Sequence, residues 1–170
     1  INGYTSTVKS ISEVANPING EVIYEMSSIV ISNKLKLIAS ELVLRYGGKF
    51  ASSQGDNAVS IFENTHQEAL ALSYCRDVMK LFSEIEFVID GTKRKFTLKS
   101  SLVRGVLKFE KDDMGTPAVN SISYAEYNRL LGSIKEDEKE RNILVLEESY
   151  LHIVKSLIQK KSELLNRTGK

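Results

Sequence analysis

Apolar side chains recur mostly at three- and four-residue steps from about Glu21 to Tyr46: Val22, Met26, Ile29, Val30, Leu35, Ile38, Leu42 and Val43. That spacing predicts a long helix, closed by Gly47-Gly48 because glycine readily takes the left-handed conformation that ends helices. The period then changes. Lys49 to Gln54 and Ala58 to Phe62 read as two short strands joined by Gly55-Asp56-Asn57, a β-hairpin signal. Thr65 is placed to cap a second helix over His66 to Ile85, with Ala69, Leu72, Val78, Leu81 and Phe82 inward. Phe87-Val88-Ile89 and a strand from about Phe96 to Phe109 follow, with the turn Asp90-Gly91 between them. Pro117 suits the first turn of a helix running to about Leu131. A charged loop over 135–141, a buried-looking strand Ile143 to Leu146 and an amphipathic helix Ser149 to Leu165 complete the chain. Upstream, Ile1 to Ser6 reads as the exit of a strand, and residues 7–20 are polar, with turn signals at Asn16-Pro17 and Asn19-Gly20.

Helices and strands thus alternate around a central hairpin, which predicts an α+β fold with a ferredoxin-like split βαβ core. The expected sheet is rich in antiparallel pairs and flanked by helices. One domain is expected over 1–165, its first strand truncated, with 166–170 as a tail.

Composition narrows the class. At 170 residues, 42% hydrophobic and 26% charged, the chain has enough apolar material for one sizeable core. Twenty-three basic against 22 acidic residues argue against a strongly basic nucleic-acid binder. The single cysteine, Cys75, has no internal disulfide partner, which points to a reducing compartment. No apolar run approaches the roughly 18–20 residues that cross a bilayer, and no signal peptide is visible at the start. A cytoplasmic protein with no nucleic-acid or membrane partner is expected.

The candidate chemistry centres on the hairpin. A carboxylate at its tip, Asp56, set free by Gly55 and flanked by buried strands, suits a divalent cation such as magnesium. An ordinary turn aspartate is the alternative. Three other segments bear on that choice. Ile1-Asn2-Gly3-Tyr4-Thr5-Ser6 is similar to the end of a first strand of pattern Asp-Ile-x-Gly-Phe-Thr. Asp113-Met114-Gly115-Thr116-Pro117-Ala118-Val119-Asn120 is similar to a loop ending in Gly-x-x-Val-Asn, with Pro117 as one additional residue. Asn142 to Tyr150 is similar to a late strand and helix often written ILVSEETY. Together with Gly47-Gly48-Lys49 and Gly55-Asp56, this ordered set resembles the catalytic domain of class III nucleotidyl cyclases over nearly the whole chain.

The resemblance implies conversion of a nucleoside triphosphate to its 3′,5′-cyclic monophosphate and pyrophosphate by two-metal catalysis. Two aspartates and a backbone carbonyl, here that of Ile1, hold two Mg²⁺ or Mn²⁺ ions. Asp56 matches the second aspartate, and the first is expected immediately before Ile1 in a longer polypeptide. The backbone of Asn2, Gly3, Tyr4 and Thr5 would cradle the triphosphate, and Gly3 permits close approach. Family members act as head-to-tail homodimers with shared active sites. Asn120 matches the residue that orients the ribose. The position four residues on, usually arginine, is Tyr124, which donates a hydrogen bond but carries no charge.

Base choice departs from both purine patterns. The two selecting positions fall on Ser52 and Asp113, a pair that matches neither adenylate nor guanylate cyclases. Phe50, Ser52 and Gln54 share one face of the strand, so Phe50 or Gln54 would narrow the pocket around a smaller ring. Arg104 offers a guanidinium to the carbonyl oxygens of uracil or to O2 and N3 of cytosine, with a surface charge at a sheet edge as the equal alternative. The altered pair, Tyr124 and the short domain resemble the pyrimidine cyclases of bacterial anti-phage (Pycsar) systems. These make cyclic UMP or cyclic CMP for an effector that senses the cyclic nucleotide. An adenylate or guanylate cyclase, or a degenerate non-catalytic cyclase-like domain, is the alternative. His66 and His152 lie far apart without partners at ligand spacing, so zinc is not expected, and mid-helix Cys75 reads as a core residue.

Overall fold

The computed structural model describes residue 1 and residues 20–51, 56–63, 67–89, 91–106, 108–111, 117–120, 129 and 141–168. Within them the fold is mixed α+β. Helix α1 spans Gly20–Arg45, α2 Glu68–Glu84 and α3 Leu151–Thr168, the last entered through a 3₁₀ turn at Glu148–Tyr150. The strands are β1 (Lys49–Ala51), β2 (Val59–Ile61), β3 (Phe87–Ile89), β4 (Thr92–Arg94), β5 (Lys99–Leu102), β6 (Lys108–Lys111), β7 (Pro117–Asn120) and β8 (Ile143–Leu146). They pair two by two: β1–β2, β3–β4 and β6–β7 antiparallel, β5–β8 parallel. None of the helices among the described residues is long and apolar enough to cross a membrane.

The core lies where α1 and α2 meet the strands. Ile31, Leu35, Ala39, Leu42 and Val43 come from α1, and Tyr74, Cys75, Val78, Met79 and Phe82 from α2. Phe87 and Ile89 of β3, with Phe96 and Leu98, close it from the other side. The rings of Phe82, Phe87 and Phe96 run in series at 5.6 and 5.7 Å between centroids, the tilted geometry that aromatic quadrupoles favour. Cys75 is buried in this core, and burial pushes its thiol up to about 12, which leaves it un-ionised at neutral pH.

α1 ends in a Schellman motif. Gly47 adopts φ +73°, its N–H donates to the Leu44 carbonyl at 3.1 Å, and the Gly48 N–H donates to the Val43 carbonyl at 2.9 Å. These bonds satisfy carbonyls that the helix end would otherwise leave free. Gly48 also lies against the hairpin. A Cβ there would sit 2.7 Å from Val43 Cγ2, 2.8 Å from Phe62 Cε1 and 2.9 Å from the Ile61 carbonyl oxygen. Gly48→Ala is therefore expected to destabilise the fold by about 1–3 kcal/mol through overpacking, read as a lower urea midpoint with an unchanged slope.

Asn142 joins the parallel pair to α2. Its Oδ1 accepts the Leu98 N–H at 2.9 Å, while Nδ2 donates to the Met79 carbonyl and to Ser83 Oγ, each at 3.2 Å.

Several sequence expectations are corrected. Pro117–Asn120 is a strand paired with Lys108–Lys111, not the start of a helix. Proline is tolerated as the first residue of a strand as readily as in the first helical turn, so the partner strand decides. The single strand expected over 96–109 is divided into β5 and β6, and the partner of β3 is the polar β4 immediately after Gly91. α2 buries Ala71, Tyr74, Cys75, Val78, Met79 and Phe82, while Leu81, expected inward, is exposed. α3 continues beyond Leu165 to Thr168. The expected cap Thr65 lies outside the described residues. Gln67 precedes α2 without a side-chain cap and donates from Nε2 to the Gly47 carbonyl at 3.2 Å.

Candidate functional site

β1 leaves the glycine pair at the end of α1 and pairs with β2 in the register Lys49↔Ile61, Phe50↔Ser60 and Ala51↔Val59. Among the described residues the pairing runs over Lys49–Ala51 and Val59–Ile61, and the expected continuation of the first strand to Gln54 and the turn residue Gly55 lie outside them. Tyr74 of α2 fixes this hairpin to the body. Its hydroxyl lies 2.6 Å from Ser60 Oγ and donates to the Ala39 carbonyl at 3.4 Å, and its ring packs against Phe62 at 5.5 Å. Burial pushes the Tyr74 phenol up to about 12, so it holds its proton across the ordinary pH range.

On this anchored hairpin Asp56 stands in a turn, with its side chain 44% exposed. The Ile1 amine meets it, donating to both the Asp56 carbonyl and Oδ2 at 3.4 Å. Residues 55 positions apart in sequence therefore share one corner of the fold. Burial lowers the Ile1 amine below its ordinary value, the Asp56 carboxylate opposes that shift, and the positive charge of Lys99 on β5 reinforces it. Ile1 also packs against the main core. Beside Asp56, Asn57 Oδ1 is buried with no hydrogen-bond partner among the described residues.

Those oxygens, a carboxylate, a carbonyl and an unpartnered amide oxygen, are hard donors of the kind that Mg²⁺ and Mn²⁺ take. Among the described residues no three His, Cys, Asp or Glu side chains gather as a metal-binding group.

The other expected site residues are distributed unevenly. Phe50 is half-buried in β1 and packs against the core. Asn120 is the last residue of β7, paired with Lys108. Arg104 belongs to a different cluster. Its guanidinium pairs with Glu68 in the first turn of α2 and lies 5.8 Å from the centroid of the Tyr150 ring. Its backbone N–H donates to Glu147 Oε2 at 2.9 Å. Asn2, Gly3, Tyr4, Thr5, Ser52, Asp113 and Tyr124 lie outside the described residues. Sequence reasoning missed Lys99 and Asn57. Lys99 acts on the corner from β5, a long-range placement with no local signal, whereas Asn57 was read only as part of the turn.

Comparison with known protein families, with curated proteins and with solved structures finds no match. The resemblance to class III cyclases therefore rests on the ordered motifs alone.

Proposed function

We propose that this chain is the catalytic domain of a nucleotidyl cyclase of the class III type, with its split βαβ core, acting on a pyrimidine nucleoside triphosphate. The observation that carries the reading is the meeting of Ile1 with Asp56 at 3.4 Å. It joins the two segments that the resemblance assigns to metal binding.

In this reading Asp56, the Ile1 carbonyl and an upstream aspartate would hold two Mg²⁺ or Mn²⁺ ions, which would supply charge neutralisation for the triphosphate and ease loss of the 3′-hydroxyl proton. The backbone of Asn2 to Thr5 cradles the triphosphate, and Gly3 allows it to come close. Asn120 and Tyr124 of a second copy orient the ribose and donate to the phosphoryl oxygens. The ribose 3′-oxygen forms a bond to the α-phosphorus, the bond from that phosphorus to the β-phosphate bridging oxygen breaks, and pyrophosphate leaves. The hydroxyl proton passes to solvent. Phe50, Ser52 and Asp113 bound the base, and the product signals to an effector that senses the cyclic nucleotide, as in anti-phage defence.

A purine substrate is the second reading. Arg104, on which the pyrimidine choice leans, is engaged by Glu68 and Tyr150. Purified protein that includes the upstream residues, incubated separately with ATP, GTP, CTP and UTP and Mn²⁺, tests both. UTP or CTP is expected to yield cyclic monophosphate and pyrophosphate by chromatography and mass spectrometry. Conversion of ATP or GTP alone transfers the assignment to the purine reading, and no product from any of the four removes the cyclase reading.

A further inference from the structure

A helix lying on a core ordinarily shows water a polar face. α1 does not. Ile31, Leu35, Ala39, Leu42 and Val43 are buried, yet the opposite side carries Val30, Leu37 and Leu44, which are 61%, 53% and 69% exposed. These three recur every seven residues. Each such step falls about 20° short of two full helical turns, so they form one nearly straight apolar seam. Exposed Lys34 and Glu41 flank the seam on one side, themselves seven residues apart, with Asn33 and Ser40 on the other. Ser40 Oγ donates to the Leu37 carbonyl at 3.0 Å, so covering this side leaves that hydroxyl satisfied.

The charge pattern selects the occupant. Antiparallel packing of two copies of α1 about Leu37 sets Val30 against Leu44 and Leu37 against itself. Lys34 of each copy then faces Glu41 of the other, two opposite-charge pairs generated by one two-fold axis. Parallel packing turns the Lys34 and Glu41 flank of each copy toward the Asn33 and Ser40 flank of the other and forms no opposite-charge pair. A seam that complements itself in one orientation only is the signature of an isologous contact.

We infer that α1 is a self-association surface, on which a second copy of this chain packs antiparallel through Val30, Leu37 and Leu44 with reciprocal Lys34–Glu41 pairs. The inference stands without the cyclase reading. Where that reading adds a catalytic seam elsewhere, two separate self-complementary contacts on one chain build a closed tetramer or an open filament.

Sedimentation equilibrium and cysteine cross-linking test it on the full chain. Leu37→Glu places two like charges at the dyad and is expected to weaken this association at least about 100-fold, with the solution mass falling by half and the thermal midpoint unchanged at concentrations low enough to keep both proteins dissociated. Lys34→Glu and Glu41→Lys singly weaken it by roughly tenfold, and the double exchange restores it. Cys75, the single native cysteine, is buried, so one introduced thiol reports alone. Leu37→Cys is expected to give a covalent dimer with a short bis-maleimide. Leu44→Cys cross-links to Val30→Cys in a mixture and poorly to itself. An unchanged mass for Leu37→Glu, a monomeric native chain, or Leu44→Cys linking to itself as fast as to Val30→Cys overturns the inference, as does the same loss in both single charge variants without rescue in the double.

Discussion

Asp56→Asn is expected to lower divalent-dependent cyclisation at least about 100-fold, roughly 2.7 kcal/mol of transition-state stabilisation, while the fold survives. The amide keeps the size of the side chain and one carbonyl oxygen. It loses the charge that offsets a bound cation and the triphosphate. The native carboxylate is 44% exposed, so its contacts are screened by solvent and their loss costs no more than about 1 kcal/mol. For a chain of this length that corresponds to about 2–4 °C in thermal midpoint. Turnover measured beside a melting curve separates the two effects. Full activity in a folded Asp56→Asn protein removes the carboxylate from the chemistry and the cyclase reading with it.

Phe82→Ala has the largest expected effect on stability. Phe82 is 0% exposed, stacks on Phe87 at 5.6 Å and sits where α2 meets the strands. Truncation removes the ring's transfer energy and leaves a cavity that rigid neighbours fill only in part, which typically costs about 3–5 kcal/mol. Against a total stability of roughly 5–15 kcal/mol for a domain, that is a large share, and the midpoint is expected to fall by about 10 °C. Phe82→Leu, which keeps more of the volume, should lose clearly less. Equal losses from the two variants would show that the aromatic series, rather than the filled volume, holds this part of the core.

The sequence made α1 legible as an element but not in its orientation. Its start and stop follow from periodicity and Gly47-Gly48, and the helix spans Gly20–Arg45 against an expected 21–46. Ile29 and Val30 were counted with the apolar positions, yet both are exposed and Ile31 is buried. A helix apolar on two sides carries no internal signal for which side meets the core. β8 falls where expected because Ile143 to Leu146 is a short, wholly apolar run, whereas β4 reads Thr92-Lys93-Arg94 and owes its existence to β3. The helix expected from Pro117 failed for the same reason: a strand made by its partner leaves little local trace. At the candidate site, Asp56 was legible as a hairpin tip, but Lys99 entered only through tertiary placement.

Asn142 carries a consequence for how β5 and β8 find each other. Sliding one parallel strand by two residues preserves which side chains face inward, so alternation alone tolerates the slip. Asn142 grips Leu98 through its oxygen and the last turns of α2 through its nitrogen, and that three-way hold exists in one alignment only. The amide works as a ratchet pawl: the neighbouring ladder becomes stable once the tooth has dropped, and a chain with leucine there would lose its means of telling the right notch from the next.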